Sequence, residues 1–200
     1  MKPLREVTGT VAVLDRPDVD TDQIIPKQFL KRIERTGYGQ FLFFDWRLDE
    51  NGDERPGFEL NRQEFRSASI LLAGRNFGCG SSREHAAWAL QDFGYQAIVA
   101  ESFGDIFATN CSKNGLLTVV LPPDAVRELI DSAPAEATID LEALTVTLPS
   151  GRVVPFEVDA DVRERLLNGW DDISLTEQRE DEIARYEAER ERVGPDALAI

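Results

Sequence analysis

The feature that most constrains the fold of this chain is the alternation over residues 69–132. SILLA (69–73) is a short apolar run of strand type. Residues 83–93 come next, with apolar side chains at Ala86, Ala87, Leu90 and Phe93; that spacing lines one helical face, and Gly94 stops it. QAIVA (96–100) reads as a second buried strand, and Ser102 with Asp105 opens a helix to about Asn114. LLTVVL (116–121) is a third strand, and Pro122-Pro123-Asp124 starts a helix to about Ser132. Strands separated by helices must cross over to pair, so this stretch predicts a parallel sheet with right-handed crossovers.

The flanks are of different character. VTGTVAVL (7–14) is a strand rich in β-branched residues, running into an aspartate- and proline-rich loop over 15–26 whose carboxylates can bond nearby backbone N–H groups. Residues 27–36 suit a short basic helix ended by Gly37, and QFLFFDW (40–46) is too aromatic for a solvated loop and is expected in a core or an interface. Residues 48–66 are polar and irregular, with a turn at Asn51-Gly52. Beyond the alternating region, TIDLE and LTVTLPSGRVVPFEV are β-hairpin material turning at Pro-Ser-Gly. Asp159 is placed to cap a helix to Asn168-Gly169, and Ser174 with Glu177 to cap a highly charged helix over about 174–193. No repeat or linker divides the chain, so residues 1–200 are read as a single domain.

Composition narrows the function. A formal charge of −15 argues against nucleic acid and anionic membranes as partners, because both need clustered Lys and Arg. It also means that an anionic ligand must be held locally, by a few arginines and backbone N–H groups. Two cysteines, Cys79 and Cys111, and one histidine, His85, fall short of a four-ligand zinc site or the thiolates of an iron–sulfur cluster. No signal-peptide or transmembrane run is evident, so a cytoplasmic protein is expected.

GRNFGCGSSREHAAWAL (74–90) is the candidate site, and four readings of it compete. As a phosphate loop it lacks the lysine of a P-loop, and the third glycine position of a dinucleotide fingerprint holds Arg83. As a thiol site it would set Cys79 against His85 and the helix N-terminus. As a purely structural turn, Ser81-x-x-Glu84 fits a capping box. As an anion and proton-transfer site, it lies where a parallel strand meets a helix, with backbone N–H groups favouring negative charge, Arg83 matching a carboxylate and a serine hydroxyl as base.

Three separated stretches also resemble a known family. GCGSSREHAAWAL resembles the signature of the small swivel domain of the aconitase superfamily. DVDTDQIIPKQFLKRIERTGYG (18–39) and LLNGWDDISLT (166–176) resemble the small subunits of bacterial isopropylmalate dehydratases, and the likeness covers nearly the whole chain. It implies an α/β aconitase-like swivel domain, layered β/β/α, with a mixed, mainly parallel sheet and flanking helices. It also implies a leucine-biosynthesis hydro-lyase active only with a large subunit. That partner would carry the [4Fe–4S] cluster, so that this chain binds no cofactor of its own, and the ligand would be a small dicarboxylate.

By the same resemblance Ser81 is the general base. Ser82 and Arg83 bind substrate, with Arg83 on a carboxylate, and Asp22 stands at the active-site edge, where it could orient an arginine or a partner's histidine. A further carboxylate-binding arginine is expected in the basic segment. Arg35 is the choice, with Thr36 nearby, and Lys31 and Arg32 are its competitors. Cys79 becomes loop packing and His85 a structural or supporting residue. Where relatives are expected to carry a histidine in the near-terminal helix, this chain reads Arg163-Glu164-Arg165. Small subunits acting on homoaconitate or methylmalate-type acids, and a non-catalytic anion-binding assembly protein, are the alternatives.

Overall fold

The computed structural model describes residues 1–31, 34–177 and 179–193, with side chains through residue 190. In chain order its elements are β1 (Glu6–Leu14), α1 (Thr21–Ile24), α2 (Phe44–Arg47), β2 (Ile70–Ala73), α3 (Glu84–Phe93), β3 (Ala97–Ala100), α4 (Asp105–Asn114), β4 (Leu117–Val120) and α5 (Pro123–Ser132). The remaining elements are β5 (Glu136–Asp140), β6 (Thr145–Thr147), β7 (Val153–Pro155), α6 (Ala160–Asn168), α7 (Asp172–Glu177) and α8 (Glu180–Val193). Short 3₁₀ turns fill the segments around α2.

The strands form one seven-stranded sheet in the order β4-β3-β2-β1-β5-β6-β7. Val11 to Leu14 of β1 pair in parallel with Ile70 to Ala73, and β2, β3 and β4 continue the parallel half. Glu6 to Thr10 pair antiparallel with β5, which leads into the β5-β6-β7 meander. Because the two ladders use different halves of β1, the sheet curls about that strand, giving the mixed α/β swivel architecture.

β2 and β3 are buried at every residue, which is why they read as continuous apolar runs rather than alternating ones. Their side chains divide between two cores. Leu71, Ala73, Ile98 and Ala100 face the first, with Ala86, Ala87 and Leu90 of α3, Phe107 and Cys111 of α4, and the aromatic residues of 38–65. Ile70, Leu72, Ala97 and Val99 face the second, with Ala125, Val126 and Leu129 of α5, Leu166 of α6 and the antiparallel strands. Fully burying one such aliphatic side chain contributes about 1.5–3 kcal/mol, so both faces of the parallel half are firmly held.

Several expectations are revised by tertiary contacts. The acidic loop contains α1, capped reciprocally by Asp20 and Gln23. The basic helix is a 3₁₀ turn over Lys27–Lys31, followed by bends at Arg35 and Thr36. Ser102 does not cap α4, whose N-cap is Gly104; its hydroxyl accepts instead from the Asn76 N–H at 2.9 Å. Ser174 is not a cap either: α7 starts at Asp172, and the Ser174 N–H and hydroxyl both bond the Asp171 carboxylate at 2.8 Å. The charged C-terminal segment is two helices, α7 and α8. Asp159 caps α6 as expected, accepting from Asp161 and Val162, and Gly169 ends that helix in the left-handed region.

Candidate functional site

Beyond the carboxyl ends of β1, β2 and β3 the chain continues the parallel arrangement. Asp20 bridges Cys79, and Phe77 bridges Phe103. The Gly78 N–H donates to the Val19 carbonyl at 2.8 Å and the Thr21 N–H to the Cys79 carbonyl at 3.0 Å. On the other side, the Gly104 N–H donates to the Phe77 carbonyl at 2.9 Å and the Phe77 N–H to the Ser102 carbonyl at 3.1 Å. The glycine loop is thus gripped between residues 18–21 and 102–104. Gly78 is required here on two counts: its φ is +74°, and a Cβ would come within 2.2 Å of the Phe107 ring.

This grip delivers Ser81, Ser82 and Arg83 to the mouth of α3. Thr21 is almost fully buried and donates its hydroxyl to the Ser81 carbonyl at 2.9 Å, fixing the loop's last turn to α1. Ser81 and Ser82 are exposed, and among the described residues no hydrogen bond engages either hydroxyl. The capping box of Ser81 and Glu84 does not form. The N-cap of α3 is Arg83, with no side-chain cap bond, and the Glu84 carboxylate accepts from Asn114 Nδ2 at 2.9 Å. Helix initiation therefore leaves the serines unoccupied.

Arg83 has a side chain only 12% exposed, and its Nη1 makes an ion pair with Asp22 Oδ1; both atoms are sealed from solvent. Lys27 Nζ lies 3.4 Å from Asp22 Oδ2. Asp22 is therefore flanked by two cations. A guanidinium carries five N–H donors, so pairing through Nη1 leaves others for a carboxylate. Of the two partners expected for Asp22, an arginine or a partner's histidine, the structure places an arginine, Arg83, against it.

Cys79 and His85 each find partners other than one another. Burial, then the Asp20 and Asp18 carboxylates, push the Cys79 thiol up, away from the reactive thiolate. Its sulfur meets the Asp18 carbonyl at 3.5 Å. His85 is packed edge-on against Tyr38 at 5.3 Å and against Trp88 at 4.7 Å between centroids. Burial chiefly, with a smaller contribution from Arg83 and against the pull of Glu84, lowers its pKa. Arg35 and Thr36 are exposed, and the Arg35 guanidinium lies 5.8 Å from the centre of the Trp88 ring. Lys31 ends the 3₁₀ turn, and Arg32 lies outside the described residues.

An iron–sulfur cluster does not fit this chain's own side chains. Cys111 is fully buried in the first core, and among the described residues no three His, Cys, Asp or Glu side chains gather as a metal group. No described helix is long and apolar enough to cross a membrane. Ser81 and Ser82 face solvent, and Arg83 lies half-buried behind them. Sequence reasoning missed Thr21 and Lys27. The Asp20-x-x-Gln23 capping signal would have placed Thr21 at a helix start, but nothing local signals which side chain meets Asp22.

A family model described as the aconitase C-terminal domain matches residues 1–124, and one described as LeuD_N matches residues 127–160. The chain is 58% identical over 193 residues to the 3-isopropylmalate dehydratase small subunit of Bacillus licheniformis, covering 95% of this chain and 97% of that protein. It is 52% identical over 202 residues to the small subunit of the same name from Rubrobacter xylanophilus, covering 99% and 100%. A crystal structure described as 3-isopropylmalate dehydratase from Methanocaldococcus jannaschii shares the fold, with a TM-score of 0.65 at 23% identity over 90% of this chain and 99% of that one. With matches that run nearly end to end, the chain belongs to the aconitase C-terminal-domain family and, within it, to the 3-isopropylmalate dehydratase small subunits.

Proposed function

We propose that this chain works as the small subunit of a cytoplasmic 3-isopropylmalate dehydratase in leucine biosynthesis, with residues 1–200 acting as one swivel domain. It interconverts 2-isopropylmalate and 3-isopropylmalate by removing water and adding it back with the opposite regiochemistry. The large subunit holds the [4Fe–4S] cluster, for which this chain offers no ligand set. Relatives named for isopropylmalate at 58% and 55% identity disfavour the homoaconitate and methylmalate alternatives.

One observation carries the reading: an exposed Ser81 hydroxyl, with no hydrogen-bond partner among the described residues, stands on a solvent-facing surface two residues from a guanidinium already oriented by Asp22. Such a face is half a site. Covered by a second protein, it would exclude water and strengthen every charge interaction within. In dehydration Ser81 Oγ, as alkoxide, takes the proton from substrate carbon. The C–H electron pair becomes the alkene bond as the neighbouring C–O bond breaks, and the departing hydroxide takes up the proton that Ser81 gave up in becoming alkoxide, so that water is released. In rehydration the serine returns the proton to the other carbon. Loop N–H groups and the positive end of α3, a ten-residue helix, stabilise the oxyanion. Arg83 binds one substrate carboxylate, with Ser82 beside it. Arg35 and Thr36 read the rest of the diacid.

Ser81→Ala tests the assignment in the complex reconstituted with the large subunit. The rate is expected to fall by roughly 10²–10⁴. Because Ser81 is exposed and caps nothing, unfolding free energy is expected to stay within about 0.5 kcal/mol. Parallel loss of rate and stability, or an unchanged rate, would contradict the assignment.

A further inference from the structure

On their C-terminal side, the exposed residues Arg35 and Thr36 run into a firmly anchored segment. Tyr38, two residues beyond Thr36, is fully buried, with its ring against His85 at 5.3 Å and Trp88 at 5.6 Å. Its backbone N–H donates to Asp92 Oδ2 at 2.8 Å. Gly39 lies flat on the last turn of the same helix: a Cβ there would come within 2.7–2.8 Å of the Asp92 carbonyl group and the Phe93 nitrogen. Beyond it, the buried Arg47 donates through Nη2 to the Gln40 carbonyl and through Nε to the Leu42 carbonyl at 2.9 Å, with its guanidinium 5.4 Å from the Phe93 ring. The near side is closed by the Phe29–Phe41 stack, with centroids 4.0 Å apart.

These contacts converge on α3. Its first residues adjoin Ser81 to Arg83, its middle presents Trp88 to Arg35, and its last turn presents Asp92 to Tyr38. One rigid helix therefore sets the distance between the proton-transfer end of the site and the substrate-reading end. Most of the anchoring is apolar or backbone packing. Asp92 is the polar side chain of α3 that engages the strand of chain leading back to Thr36, and its residue is otherwise exposed at the surface. We propose that Asp92 is a positioning residue for substrate selection: its carboxylate, by holding the Tyr38 N–H, fixes Arg35 and Thr36 against α3. The inference rests on the reading that Arg35 and Thr36 face the substrate.

Steady-state kinetics of the reconstituted two-subunit enzyme on 2-isopropylmalate and 2-methylmalate test it, with Arg35→Ala, Asp92→Ala and Asp92→Asn. Loss of one hydrogen bond that orients a binding loop should raise KM for 2-isopropylmalate by up to about tenfold. The expected kcat of Asp92→Ala stays within about twofold, because Ser81 and Arg83 sit at the opposite end of the helix, and preference for 2-isopropylmalate over 2-methylmalate narrows. Asparagine keeps an acceptor oxygen, so Asp92→Asn should restore KM and preference to near the parent values. A purely structural role would instead lower the fraction of active enzyme, and hence kcat, at constant KM. That result, or an Asp92→Asn as impaired as Asp92→Ala, overturns the inference. An unchanged KM in Arg35→Ala sinks the underlying reading. A raised KM in Arg35→Ala beside an unchanged one in Asp92→Ala sinks the inference alone.

Discussion

Ser81 and Arg83 stand two positions apart and are held quite differently. The serine carbonyl is fixed by Thr21 while its hydroxyl is left in solvent; the arginine is folded inward onto Asp22. On the proposed reading the chemistry needs that division, since a base must be reachable and a carboxylate-binding group must be pre-oriented. His85 illustrates the opposite case, a titratable residue spent on packing. Its folded pKa lies below the ordinary histidine value of 6.5, chiefly through burial. In the window beneath 6.5 the unfolded chain therefore binds more protons than the folded one, so stability is full above that window and falls as pH is lowered through it. Urea unfolding between pH 7.5 and 5 should show a shallower decline for His85→Gln than for the parent chain; an identical decline would contradict this. The residue types of the site were legible in the sequence, because glycines, paired serines and an arginine before a helical period are local signals. That Asp22 could orient an arginine was suggested by role alone, and which arginine was not legible. Lys27, Thr21 and Asp92 stayed hidden because what each does depends on a partner distant in the chain or on a turn of helix inside a loop.

Among the elements, the strands and the longer helices match the sequence pattern closely, since runs such as ILLA and AIVA leave few other ways to bury so much apolar surface. Caps were the poorer guide. Ser81, Ser102 and Ser174 all stand where a cap is expected, and none caps a helix: the first is left free, the second accepts from Asn76, and the third bonds Asp171. Short polar side chains can bond several local groups, and tertiary neighbours decide among them. Phe58, Leu60 and Phe65 are buried in a stretch that looked polar, because isolated apolar residues on short turns have no period to reveal them. The glycine loop gives a quantitative test at this scale. Gly52 and Gly78 both have positive φ, +85° and +74°, but a Cβ meets nothing at Gly52 and the Phe107 ring at Gly78. Gly52→Ala should cost about 1 kcal/mol, the backbone strain alone. Gly78→Ala adds overpacking and should cost about 3 kcal/mol or more in denaturant unfolding. Equal costs would mean that the loop is not gripped as described.

For the molecule as a whole, sequence pattern identified the parallel half but not that β1 lies at its edge and carries the antiparallel half on its other side. That pairing joins residues more than a hundred positions apart, and periodicity says nothing about such neighbours. Its consequence is functional: β1 leads straight into residues 18–21, so the strand that joins the two halves of the sheet also grips the glycine loop. The proposed substrate is an anion and the chain carries a charge of −15; on that reading Arg83 and Lys27, gathered around Asp22, hold it locally. A solvent-exposed serine beside an oriented arginine should be inert alone and active once covered by the partner. The most direct measurement is isopropylmalate turnover at a fixed concentration of this chain as cluster-loaded large subunit is added. No turnover is expected without the partner, rising to a plateau at one partner per chain. Full turnover by the chain alone, or no gain from the partner, would contradict the account.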